Sequence, residues 1–181
     1  MATWPAVLDE LVRTRRAALV GYATLLTGDP AAAEDVVHDA IVKAFSRGRR
    51  FTHVNKADAY VRRAIVSVFI DRARREQRFR DAAPGLVGGG FEAAPEAAVD
   101  LERALASLTP QLRAVTVLRF HDDLTVPQIA DRMGIADGTV KRYLHEAQAL
   151  LAVIYRSDLE QADAAEASTV SVVAHGKRTT P

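Results

Sequence analysis

The sequence predicts an all-α protein: two small helical domains joined by a flexible acidic linker. Three observations lead there. Apolar residues recur at three- and four-residue steps in two blocks, one on each side of a break. Each block contains a cap-plus-proline helix start, Asp29-Pro30 in the first and Thr109-Pro110 in the second. The break itself, residues 81–95, carries Pro84, Gly85, Gly88-Gly89-Gly90 and Pro95 and has no helical periodicity.

The first helix is expected over residues 6–27, with Val7, Leu8, Leu11, Val12, Leu19, Tyr22, Leu25 and Leu26 on its apolar side and Gly28-Asp29-Pro30 as its stop. Asp29 is then the cap of a second helix, with Glu34 and Asp35 early enough to favour the dipole, running through Val36, Val37, Ile41, Val42 and Phe45 to about Gly48. Residues 49–56 are polar and read as a loop. A third helix follows from about Ala57 to Arg80. It is apolar in its first half (Tyr60, Val61, Ile65, Val66, Val68, Phe69, Ile70) and carries five arginines between positions 72 and 80. Such a helix starts inside a bundle and projects onto solvent or a polyanion.

Helical pattern returns from about Glu96 to Leu108, and Thr109-Pro110 opens a helix built on Leu112, Val115, Val117, Leu118 and Phe120. Shorter helices follow Thr125 and Asp137. The expected domains are thus residues 1–80 and 99–155, with 81–98 as linker. Residues 156–181, rich in Ala, Ser, Thr and charge, read as a frayed tail in which Val170–Ala174 is the one strand-like run.

Composition narrows the function. Residues 1–80 hold fifteen Lys/Arg against nine Asp/Glu, and residues 81–102 hold five acids and no base, so the net charge of +1 hides a basic front and an acidic middle. With no cysteine there is no disulfide and no thiolate site, which suits a reducing cytoplasm. The five histidines are scattered, and no stretch is apolar enough for a membrane span or, with Asp9 and Glu10 near the start, for a signal peptide. No nucleophile–base pair, metal set or cofactor motif is present, and Gly88-Gly89-Gly90 lacks the Lys-Ser/Thr of a phosphate loop. The expectation is a cytoplasmic protein that is not an enzyme and takes no cofactor.

The most specific signal is the stretch from Leu124 to Leu144, LTVPQIADRMGIADGTVKRYL, which has the layout of a helix-turn-helix. Thr125 caps the first helix, Ile129 and Ala130 face inward, Gly134 makes the turn, Ile135 plugs the gap between helices, and Asp137 caps the second helix. Val140 and Leu144 anchor that second helix from below, leaving Thr139, Lys141, Arg142 and His145 outward, as a helix in the DNA major groove requires. A helical hairpin with solvated Lys141 and Arg142 is the plain alternative.

What precedes this motif is more telling than the motif alone. Asp29-Pro-Ala-Ala-Ala-Glu-Asp-Val-Val-His-Asp-Ala-Ile-Val-Lys-Ala-Phe45 resembles the second region of sigma factors, and Tyr60 to Arg75 resembles the helix that reads the minus-ten promoter element. Ala104-Leu-Ala-Ser-Leu-Thr-Pro-Gln-Leu-Arg-Ala-Val115 through the helix-turn-helix is similar to the domain that reads the minus-thirty-five element. The resemblance covers about residues 8–155. Its order of motifs, with a short linker and no third domain, is that of the extracytoplasmic-function class.

The resemblance implies a promoter-specific initiation factor whose partners are core RNA polymerase and promoter DNA; it leaves open an anti-sigma protein as a third. Asp35, His38, Asp39 and Lys43 would face polymerase. Phe51 and Ser67 would line the pocket for a flipped minus-ten base. Arg72, Arg74, Arg75 and Arg78 would hold promoter phosphates. Lys141, Arg142 and His145 would meet the minus-thirty-five groove. Two departures stand out: Ser67 replaces the usual Asn, and Glu146 and Gln148 stand where arginines are usual. A stand-alone helix-turn-helix regulator and a protein-interaction module without DNA contact remain the alternatives.

Overall fold

Residues 4–46, 51–82 and 100–175 are described in the computed structural model, with side chains of the last helix described as far as Arg156. They form helices and short turns, and no strand occurs among them. The order is α1 (Trp4–Thr27), α2 (Pro30–Ser46), α3 (Val54–Ala82), α4 (Asp100–Ala106), α5 (Pro110–Phe120), α6 (Val126–Met133) and α7 (Asp137–His175). The all-α expectation holds.

Local chemistry sets the boundaries. Gly28 takes a left-handed φ of 74° and its N–H returns to Thr24 O at 2.8 Å, closing α1 in the way glycine permits without strain. Asp29 caps α2, its carboxylate accepting from the Ala32 N–H at 2.8 Å, with Pro30 at the first helical position. Glu34 and Asp35 fall beyond the first turn of α2, past the reach of the dipole effect expected of them. Residues Val54 to Lys56, read as loop, form the first turn of α3 instead, because the backbone N–H groups of Lys56 and Ala57 bond to His53 O.

The first three helices pack as a bundle on Leu11, Leu19, Leu26, Val37, Val61 and Ile65, all buried to 2% exposure or less. Each such side chain contributes about 1.5–3 kcal/mol by leaving water. Ala33, Ala40, Ala44, Ala57 and Ala64 are buried between them and let the axes approach closely. In the second unit Leu112, Val115, Leu118, Ile129 and Val140 make the corresponding core.

Two features differ from the sequence reading. The two units do not stand apart: their buried side chains belong to one continuous apolar cluster, with α1 and α3 packed against α5 and α6. Helix α7 continues to His175, through the segment read as a tail and through the valine run read as strand-like, with the alanine-rich stretch Ala162–Ala167 supplying strong helix formers ahead of that run. The predicted linker lies outside the described residues except for Asp81 and Ala82, which end α3.

Candidate nucleic-acid interface

Helices α6 and α7 form the hairpin that the sequence announced. The side chain of Gln128 reaches back to accept from Thr125 N at 2.8 Å and from Thr125 Oγ1 at 2.9 Å, fixing the start of α6. Gly134 turns the chain at φ 64°, and the Ile135 N–H bonds to Ala130 O at 3.1 Å. Ala136, not Asp137, occupies the cap of α7, since Ala136 O accepts from Thr139 and Val140. Asp137 sits in the first turn, where its charge favours the helix N-terminus.

Val140 and Ala147 are buried and Leu144 is half-buried against the core, which orients the opposite side of α7. Lys141, Arg142 and His145 are exposed there, with Thr139 half-buried at the edge. The Arg142 guanidinium lies 5.2 Å from the centre of the Tyr143 ring and so is held near the helix surface. Glu146 and Gln148 share the exposed side.

The basic end of α3 divides into two groups. Arg75 and Arg78 are exposed; Arg78 Nε donates to Arg74 O at 3.1 Å one turn back. Arg72 turns instead toward α2, where it pairs with the Asp39 carboxylate. Arg74 reaches across to Met133 O at 3.4 Å, at the end of α6. Of the four arginines expected on phosphate, two therefore have protein partners on neighbouring helices.

The four residues expected on one polymerase-facing side of α2 divide likewise. Asp35 and His38 are exposed, and Asp39 is exposed but engaged by Arg72. Lys43 points inward, donating to Ser67 Oγ at 2.9 Å, with Asp71 at 3.7 Å. Position 43 lies one turn past 39, where the helix surface has rotated toward α3.

Ser67 lines a cavity of about 450 Å³. Lys43, Tyr60 and Arg63 share its wall on the first unit, and Gln128, Asp131 and Arg132 of α6 form the facing wall. Phe51 is not at the cavity. It is half-buried between Phe45 and Tyr60, with ring centroids at 5.2 and 5.5 Å, and so reaches the site only through Tyr60. Sequence reasoning missed Tyr60 and Arg63, which it assigned to core and to no role.

It also missed the joint between the units. Tyr22 of α1 donates to Asp122 Oδ2 at 2.8 Å, and its ring lies 5.3 Å from that of His121 and 5.1 Å from the Arg62 guanidinium. Burial, and then the Asp122 charge, push the Tyr22 hydroxyl well above the ordinary tyrosine range, so it remains a donor at any physiological pH. Arg113 is wholly buried in α5, donating to Leu26 O at 2.9 Å and to Ala106 O at 2.6 Å. Burial pulls its guanidinium down to about 10, still charged at neutral pH. A lone arginine within the apolar run Leu112–Leu118 was the available signal.

Against known proteins, residues 11–79 match the family model described as Sigma-70 region 2, and residues 98–151 match Sigma-70, region 4. The chain is 33% identical over 168 residues to an RNA polymerase sigma-E factor of Streptomyces avermitilis, covering 86% of each. It is 34% identical over 151 residues to the ECF RNA polymerase sigma factor SigL of Mycobacterium tuberculosis, covering 78% of this chain and 85% of that one. Its fold is similar to that of the sigma factor RpoE solved with the anti-sigma factor NepR from Bartonella quintana, at TM-score 0.58 and 20% identity, over 83% of this chain and 97% of the other.

Proposed function

The chain belongs to the sigma-70 family as an extracytoplasmic-function RNA polymerase sigma factor, and from that premise we propose how its residues divide promoter-specific initiation. The carrying observation is the two-sided α7, buried through Val140 and Ala147 and exposed through Lys141, Arg142 and His145. That exposed side, with Thr139 at its edge, reads the minus-thirty-five major groove, its first turns approaching base edges.

In the same reading the Ser67 cavity takes a base of the minus-ten element drawn out of the stack, against Tyr60 and with Arg63 beside its backbone. Arg75 and Arg78 hold phosphates, joined by Arg72 and Arg74 only when these leave their protein partners. Asp35 and His38 meet core polymerase directly. Asp39 does so at the expense of Arg72, and Lys43 supports Ser67. Phe51 acts by packing Tyr60.

The protein carries no catalytic step of its own in this reading and works in the cytoplasm with polymerase, optionally restrained by an anti-sigma protein. Among the described residues no helix is long and apolar enough to cross a membrane. Run-off transcription with purified core polymerase tests the assignment. A sigma factor converts core enzyme into a promoter-specific one; a stand-alone regulator or an interaction module leaves core alone inactive at every promoter.

A further inference from the structure

We propose that Phe79, at the projecting end of α3, is a further promoter contact that meets thymine methyl groups in the major groove about five base pairs upstream of the base held at Ser67. Its placement on DNA rests on the sigma-factor reading; the surface itself is read from the structure.

Ala73, 6% exposed, is the last buried residue of α3, and the helix continues through residues 74–82, about 14 Å further. All of these residues but Arg80 are exposed. Phe79 is 71% exposed, more than any other large apolar side chain among the described residues. Arg74 reaches Met133 O, but past it the side-chain bonds of Gln77 to Asp81, Arg78 to Arg74 O and Arg80 to Gln77 stay within the helix. They stiffen this end without tying it to the bundle. A helix exposed on every side is about 10–12 Å across, which the major groove, about 12 Å wide, admits.

Charge identifies the occupant. At 3.6 residues per turn, Arg75 and Arg78 lie between the Ser67 side of α3 and the Phe79 side, and both are exposed. The acid on that face, Asp71, has Lys43 at 3.7 Å, and Glu76 lies on the flank away from Ser67. Val42 is the contrasting case. At 50% exposure it shares its side of α2 with Asp35 and Asp39, a setting that repels phosphate. Phe79 instead follows two guanidinium groups, as an apolar base contact flanked by phosphate contacts requires.

Chain length sets the direction. Promoter elements centred ten and thirty-five positions upstream lie roughly 85 Å apart at about 3.4 Å per base pair. The seventeen residues between Ala82 and Asp100 reach at most about 60 Å when fully extended. A connection that short leaves the first unit on its upstream side, so the end of α3 points toward the element that the helix-turn-helix reads. Phe79 stands twelve residues beyond Ser67, about 18 Å along α3 or about five base pairs. The ring then lies on duplex upstream of the opened element. A phenyl ring has no hydrogen-bonding group, and the base feature it matches in the major groove is the thymine C5-methyl.

Uracil in place of thymine removes that methyl and nothing else. The probe is a promoter duplex selected by the holoenzyme from a library randomised upstream of the minus-ten element. Thymine should be enriched about five positions upstream of the base at Ser67. Uracil there should weaken holoenzyme binding about fourfold, the contribution of one buried methyl group. Phe79→Ala should lose the enrichment, weaken binding to the thymine duplex at least as much, and show no further loss on uracil. Its salt dependence should keep the slope of the unaltered chain, because no charge is removed. Phe79→Leu, still apolar, should retain part of the preference. Core affinity and melting temperature should be unchanged in both variants, as the side chain is exposed.

Equal binding of thymine and uracil duplexes by the unaltered holoenzyme overturns the proposal and leaves the sigma-factor reading standing. So does a Phe79→Ala chain that binds core polymerase less tightly, which makes the ring a protein contact, or one that melts at a lower temperature, which puts the ring against its own chain. An unaltered chain that confers no promoter binding on core overturns both.

Discussion

Arg113 and Leu26 lie 87 positions apart, yet the guanidinium of one donates to the carbonyl of the other at 2.9 Å. The same side chain donates to Ala106 O at 2.6 Å and Leu108 O at 3.2 Å. Helix ends leave carbonyls without intrahelical partners, and here one buried cation satisfies those of two helices from different units. Arg113→Met should keep much of the packing but strand these carbonyls, costing roughly 2–4 kcal/mol. Chemical denaturation at neutral pH measures it, and a cost below about 0.5 kcal/mol would make the buried charge incidental.

Gly28 and Gly134 both have positive φ, at 74° and 64°. Alanine at either pays the left-handed cost of about 1–2 kcal/mol. A Cβ at Gly28 would also lie 3.2 Å from the Arg113 guanidinium, whereas one at Gly134 meets nothing within 4 Å. Gly28→Ala should therefore lower the melting temperature more than Gly134→Ala. Equal shifts would show that the guanidinium yields freely.

Asp35→Arg tests polymerase contact more cleanly than any change at Asp39, because Asp39 also ties α2 to Arg72. The variant should lose at least tenfold in affinity for core polymerase in a pull-down or titration, with helicity unchanged. Undiminished binding would leave Asp35 as ordinary solvated surface.

Arg142 and Arg75 separate reading from holding. Arg142→Ala should cost about 1–3 kcal/mol at a matched promoter and relax preference at one or two upstream positions. Arg75→Ala should weaken all promoters alike and flatten the salt dependence by about one unit of slope. Holoenzyme binding across a salt series, on matched and altered promoters, distinguishes the two patterns.

Glu146 is exposed beside them on α7. If the carboxylate repels backbone phosphates, Glu146→Arg tightens upstream binding without changing the preferred sequence. A changed base preference in a randomised upstream library would instead make Glu146 a base reader, accepting from a cytosine amino group.

Much of this was legible in the chain itself, because it is local. Apolar spacing and the caps at Asp29, Thr109 and Thr125 depend on neighbours a few positions away, so they determine the helices and the helix-turn-helix before any tertiary contact forms. The same locality places Lys141, Arg142 and His145 outward once Val140 and Ala147 are inward. What tertiary structure decided is where the polar side chains go. Asp39 with Arg72, Lys43 with Ser67, Tyr22 with Asp122 and Arg113 with Leu26 join residues from 24 to 100 positions apart. Periodicity says which side of a helix a residue occupies and nothing about which distant helix meets it. A buried polar group such as the Tyr22 hydroxyl or the Arg113 guanidinium takes the partner that packing brings within hydrogen-bond reach, because leaving it buried and unpaired costs more than almost any alternative.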